Sequence, residues 1–217
     1  MGVISIEEAR ALVADAKIWP LASGFMWNFA PQVHESWIAT FAAAIGNAPR
    51  NSPRVKAWIL EKLGVEPCFH DFPRGDWSRL ALLDGGTLLE IAKWLGALAF
   101  AEPMRRVMDG AGVRALKAAL PGIYPDVLSY TAYFPGLQGK NAAAVALPGG
   151  AEIASAGYAM LASLLKPLPQ VAARFKFKFP KEVSEAAPEG RGMPGAGPET
   201  GKLLKLKFPE AYSLCCS

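Results

Sequence analysis

The stretch Thr87 to Glu102, TLLEIAKWLGALAFAE, decides the fold class. Leu88, Ile91, Ala92, Leu95, Leu98 and Ala99 recur at three- and four-residue intervals, which draws a wide apolar face along a helix that Thr87 can cap. Glu90 and Lys93 fall off that face. A strand would need alternation with a period of two, and the run does not alternate. A helix with so broad an apolar face is core material.

Working outward, the neighbours read as helices too. Toward the N-terminus, Trp77 to Leu83 suggests a short helix, and Ser52-Pro53 opens another, with serine at the cap, proline at the first helical position and Gly64 as the stop. Trp37, Ile38, Phe41, Ala44 and Ile45 form an apolar face that ends at Gly46-Asn47, and Ser5 with Glu8 makes a capping box for a first helix over Ser5 to Lys17. Trp19 to Pro31, with Pro20, Gly24 and Pro31, reads as a packed aromatic loop. Toward the C-terminus, PMRRVMDG from Pro103, VRALKAAL after Gly112 and DVLSYTAYF after Tyr124-Pro125 predict three compact helices, and Ala151 to Lys166 a last strong one. No β-alternation appears before about residue 170, so the expected fold is mainly α: a compact multi-helix domain over residues 1–166.

Past Pro167 and Pro169 the pattern changes. Arg174-Phe-Lys-Phe-Lys-Phe-Pro180 alternates basic and aromatic residues, and Leu204-Lys-Leu-Lys-Phe-Pro209 repeats it, starting 29 residues after Phe175. Between them Val183 to Gly201 holds five glycines and three prolines, a flexible connector by composition. Residues 167–217 therefore form a separate C-terminal region. As strands the two copies would pair into a short β-like ribbon, aromatics on one face and lysines on the other. As extended arms they would instead contact nucleic acid by stacking, or anionic lipid by insertion.

Composition bounds the function. With 217 residues, 52% of them hydrophobic, the chain can bury a core. Residues 1–166 carry 15 Lys and Arg against 14 Asp and Glu, and residues 167–217 carry 8 against 5, so any affinity for polyanions would come from the tail. Cys68, Cys215 and Cys216 make no disulfide framework and favour a reducing compartment. Glu7 and Glu8 stand where an export signal would be positive. Ala142 to Leu165, the most apolar stretch, is broken by Pro148, Gly149, Gly150 and Glu152, and reads as a buried helix after a turn, not a transmembrane segment.

Motifs for chemistry are sparse. Gly110-Ala-Gly-Val-Arg-Ala115 matches a dinucleotide fingerprint, but the preceding PMRRVMD reads as helix where a strand is required, so a turn between helices is expected. Cys68 and His70 are two metal-type ligands where zinc needs three or four, and only His34 remains as a further histidine. None of the three sits beside a nucleophile motif. No catalytic, cofactor-binding or metal residue is expected, nor any cofactor, and the chain is expected not to be an enzyme. Arg105, Arg106, Arg114 and Lys117 are either a basic patch for an acidic partner or a solvated face.

Phe25-Met-Trp-Asn-Phe-Ala-Pro-Gln-Val-His-Glu-Ser-Trp37, with Asn-Phe-x-Pro followed by His-x-Ser-Trp, resembles the N-terminal pattern of the YscK-like (SctK) family of the type III secretion sorting platform. Trp77-Ser-Arg-Leu-Ala-Leu-Leu83, LLEIAKWLGAL, Arg105-Arg106-Val-Met-Asp-Gly-Ala-Gly-Val113 and Leu116 are similar to its core, and the Lys-Phe-Pro segments echo it; Glu35 stands where the family pattern has a proline. The resemblance implies a cytoplasmic scaffold at the inner face of the bacterial inner membrane. It would link the inner-membrane ring protein to the pod (cytoplasmic ring) protein that carries the ATPase assembly, peripheral through protein contacts and without nucleic acid.

Overall fold

The computed structural model describes residues 17–46, 48–49, 52–137, 148–187 and 196–216, and among these described residues the chain is helical with no strand. α1 (Ile18–Trp27), α2 (Glu35–Ala39), α3 (Ala42–Ile45) and α4 (Pro53–Lys62) precede a 3₁₀ stretch at Trp77–Leu82. Next come α5 (Gly85–Ala99), α6 (Ala101–Arg105), α7 (Gly110–Ala119) and α8 (Tyr124–Tyr130). α9 (Gly150–Leu164), α10 (Pro169–Lys176), α11 (Lys181–Glu185), α12 (Ala196–Lys207) and α13 (Pro209–Cys216) complete the order. The helix expected over Ser5 to Lys17 lies outside the described residues, apart from Lys17.

The helices gather into two compact units. The first comprises Met1–Gly85, Leu165–Lys181 and Pro209–Ser217; the second comprises Gly86–Leu164 and Glu182–Phe208. Residues 167–217 are thus shared between both.

In the first unit, α1 occupies the segment expected to be an irregular loop. Pro20 stands in the first helical turn, where a missing N–H leaves no helical bond unmade, and Ile18, Ala22, Phe25 and Met26 share one buried face. Burial of that face outweighs the roughly 1 kcal/mol that Gly24 costs inside a helix. The single helix expected around Trp37 to Ile45 is instead divided into α2 and α3: Phe41 leaves helical geometry at φ −111°, ψ 8°, and the Thr40 hydroxyl donates back to the Trp37 carbonyl at 2.9 Å. α4 has the expected ends, the Val55 N–H donating to Ser52 Oγ at 3.3 Å and Gly64 standing at φ +63°. Phe25, Phe29, Phe72, Ile59, Leu80, Phe175 and Phe179 are fully buried.

The second unit is built on α5 and α9. Leu88, Ile91, Leu95 and Leu98 are buried as the spacing requires, with Ile153, Leu161, Leu203 and Leu204 among the other core residues. Gly96 of α5 faces the Ile153 carbonyl of α9, and Gly157 of α9 faces the Ala92 carbonyl of α5, each with no room for a β-carbon. The two backbones therefore cross in contact. α9 begins where Pro148 and Gly149 break the apolar run: Glu152 reaches back to the Gly149 N–H at 2.8 Å, the reciprocal half of a capping box. Among the described residues no helix is long and apolar enough to cross a membrane.

Neither copy of the basic-aromatic repeat is a strand, which corrects the expected β-like pair. In the first copy Arg174, Phe175, Phe177, Lys178 and Phe179 are all buried, the helix ending at Lys176 and a turn following, whereas a strand would put the aromatics on one face and the cations on the other. These groups of the first copy are not available to bases or lipid, whereas Lys205 and Leu206 of the second copy are exposed. The second copy forms the end of α12, with Leu203 and Leu204 buried. The expected connector is also shorter than its composition suggests, since α11 runs to Glu185 and α12 starts at Ala196; residues 188–195 lie outside the described set.

Candidate functional site

The first unit's stability rests on cations that cap helix ends and do not pair with carboxylates. Helix C-termini leave carbonyls without intrahelical donors, and a buried one costs about 1–3 kcal/mol unless satisfied. Arg174 supplies the donors for α1. Its Nη1 donates to the Phe25 and Met26 carbonyls, the latter at 2.9 Å, while Nε and Nη2 donate to the Glu66 carbonyl at 3.2 and 2.7 Å. The guanidinium also lies over the rings of Phe29 at 5.3 Å and Phe25 at 5.8 Å.

One helical turn later Lys178, 1% exposed, donates from Nζ to the carbonyls of Ala81 and Leu83, both at 2.6 Å, and so closes the 3₁₀ stretch. Arg79 on that stretch donates to the Phe72 carbonyl at 2.9 Å and to the Leu214 carbonyl of α13 at 3.2 Å. Phe72 is held at φ +48°, a strained position for a side chain with a β-carbon, by Phe25 and His70 edge-on and by Arg79 on its carbonyl.

The motif residues meet at the same place. The His34 N–H donates to the Phe177 carbonyl at 2.8 Å, Trp37 Nε1 donates to the Phe179 carbonyl at 2.9 Å, and the Lys181 N–H donates to Ser36 Oγ at 2.9 Å. His34 itself caps α2, its Nδ1 accepting from the Ser36 N–H at 3.2 Å. Trp37 packs edge-on against Phe177 at 4.9 Å, with Lys176 and Lys181 over its ring at 5.2 and 5.5 Å. The His-x-Ser-Trp and Lys-Phe-Pro segments, more than 140 residues apart, thus recognise each other through backbone groups.

Burial of Lys178 pushes its pKa down to about 7, against the pull of the Asp84 carboxylate. The amine points at two carbonyls and is buried, so the depressed pKa marks desolvation. It does set a pH dependence. The folded form releases the proton near pH 7 and the unfolded form near the ordinary 10.5, so the unfolded chain binds more protons between those values and stability rises with pH across them. Burial holds the thiols of Cys68, Cys215 and Cys216 above their ordinary 9.0, which removes stability once the unfolded thiols ionise. Urea titrations should show a gain of roughly 2 kcal/mol from pH 7 to pH 9, then a decline. In Lys178→Met the gain should vanish.

A groove of about 490 Å³ lies beside Lys178, lined also by Leu21, Gln32, Leu82, Asp84 and Leu214. The remaining sequence candidates do not converge on it. Cys68 is buried beside Arg174. His70 Nδ1 stands 3.7 Å from Asp71 Oδ1, and its Nε2 is buried without a partner. Among the described residues no three His, Cys, Asp or Glu side chains are grouped to hold a metal. Gly110 to Ala115 lies inside α7, capped by Asp109 Oδ1 accepting from the Gly112 N–H at 2.7 Å, with no strand before it.

The second unit repeats the capping device at Arg105, which donates to the Leu128 carbonyl of α8 at 3.1 Å. Lys207 of α12 pairs with Asp126 at 2.8 Å and lies over Tyr130 and Trp94 at 4.3 and 4.7 Å. Sequence reasoning missed Arg174, Lys178 and Arg79. For Arg174 and Lys178 the available signal was a cation set beside phenylalanines that are themselves buried.

The family model described as YOP proteins translocation protein K (YscK) matches residues 23–191 of the chain. No curated protein and no solved structure matches it.

Proposed function

We propose, from the premise that the chain belongs to the YscK family of type III secretion proteins, whose model covers residues 23–191, that it is a non-enzymatic adaptor of the secretion sorting platform. On this reading it sits at the cytoplasmic face of the inner membrane. It joins the inner-membrane ring protein to the pod protein that carries the ATPase assembly, and it is held there by protein contacts.

The observation that carries the reading, beside family membership, is what the motif residues do. His34, Ser36, Trp37, Phe177 and Phe179 spend their polar groups on one another's backbone, and the buried cations spend theirs on helix-end carbonyls. This supports a role for the motifs in packing the first unit, with function on its surface. Purified ring and pod proteins, each titrated with the full chain by calorimetry, test this. Saturable binding to both is expected; no binding to either would overturn the adaptor role.

A further inference from the structure

Within the second unit the turn from α6 into α7 exposes an unusual group of side chains. Met108 is 93% exposed, and Arg105, Arg106, Arg114 and Lys117 on the segments either side of it are exposed too. The chain needs only four residues to turn between the helices, with Val107 Cγ1 2.5 Å from where a β-carbon on Gly112 would stand. Arg114 folds back toward the same corner, its Nη1 3.4 Å from the corresponding position on Gly110. α7 buries little besides Leu116, so its outer face is open.

Two carboxylates accompany these four cations between residues 102 and 117: Glu102, 3.5 Å from Arg106, and Asp109, whose Oδ1 is occupied as a helix cap. Among the described residues Arg114 and Lys117 enter no ion pair. Arginine and methionine are enriched at protein interfaces, methionine because its flexible thioether fits irregular pockets. A phosphate-binding surface would have no use for a protruding methionine, and the small local excess of positive charge is poor for counterion release.

We propose that this corner docks a partner protein through carboxylates that meet Arg114 and Lys117 around an apolar pocket that takes Met108. The inference rests on the adaptor reading and names the chemistry of one of its contacts. The test titrates the full-length chain, as wild type, Arg114→Glu/Lys117→Glu and Met108→Ser, against the purified ring and pod proteins at two salt concentrations. The charge reversal should weaken binding to one of them about tenfold or more and flatten its salt dependence, with the circular dichroism spectrum unchanged. Met108→Ser should weaken the same contact without altering the salt dependence.

Wild-type affinity in both variants would overturn the proposal while leaving the adaptor reading intact. So would wild-type binding to phosphatidylserine vesicles or duplex DNA that the same reversal abolishes, since the cations would then serve a non-protein anion. Failure of the wild type to bind either protein would overturn the adaptor reading, and this contact with it.

Discussion

Replacing Gly157 by alanine is expected to destabilise the second unit by about 3 kcal/mol, the upper end of what overpacking a core costs. Two effects oppose each other in this substitution. Helix propensity alone favours alanine by about 1 kcal/mol, so an ordinary helical glycine would be improved by the change. Here the new β-carbon would be driven into the Ala92 carbonyl of α5, a backbone atom that no rotamer change can move aside. The symmetric contact of Gly96 with the Ile153 carbonyl means that Gly96→Ala should behave the same way. Because the two glycines share one crossing, the double variant should cost less than the sum of the two. Thermal unfolding followed by circular dichroism checks this, with a fall of roughly 6–12 °C expected for each single change. Unchanged or raised melting temperatures would mean that α5 and α9 do not cross at these residues.

Arg174→Met carries the second large expectation, a loss of roughly 3–5 kcal/mol, because three carbonyls lose their donor at about 1–3 kcal/mol each where buried. Methionine preserves most of the apolar volume but leaves the Phe25, Met26 and Glu66 carbonyls without the guanidinium. Arg174→Lys should recover part of the loss, because an ammonium cannot reproduce a planar fork that serves α1 and Glu66 at once. A Lys variant as stable as wild type would contradict the forked geometry and leave only a requirement for charge. Chemical denaturation of the three proteins under identical conditions separates these outcomes.

The helices whose apolar spacing is regular were legible before any coordinates. α4 follows its cap, and α5 and α9 follow their apolar faces, although α5 starts at Gly85 and takes in Thr87, the residue expected to cap it; the family motifs were visible as sequence. What periodicity could not convey was where α1 would end and why. Pro20 and Gly24 argue against a helix locally, and only burial of Phe25 and Met26, with Arg174 on their carbonyls, outweighs them.

The repeats misled for a related reason. Phe175, Phe177 and Phe179 are buried with the expected period of two, but Arg174 and Lys178 are buried with them, because lysine and arginine can be buried when free helix-end carbonyls await them. Those carbonyls lie 95 to 149 residues away in the chain, so no local pattern announces them. The basic corner at Arg105 to Lys117 was visible only as charge. The 93% exposure of Met108 beside it was not legible from charge.

If this chain connects other proteins and does no chemistry itself, as we propose, fluorescence microscopy of the labelled pod protein in cells whose gene for this chain is deleted in frame tests that role. Loss of the membrane-associated pod foci and of secretion, both restored by the full chain and by a His34→Ala/Cys68→Ser/His70→Ala variant that still folds, is the predicted result. Pod foci persisting at wild-type number without the chain would contradict it.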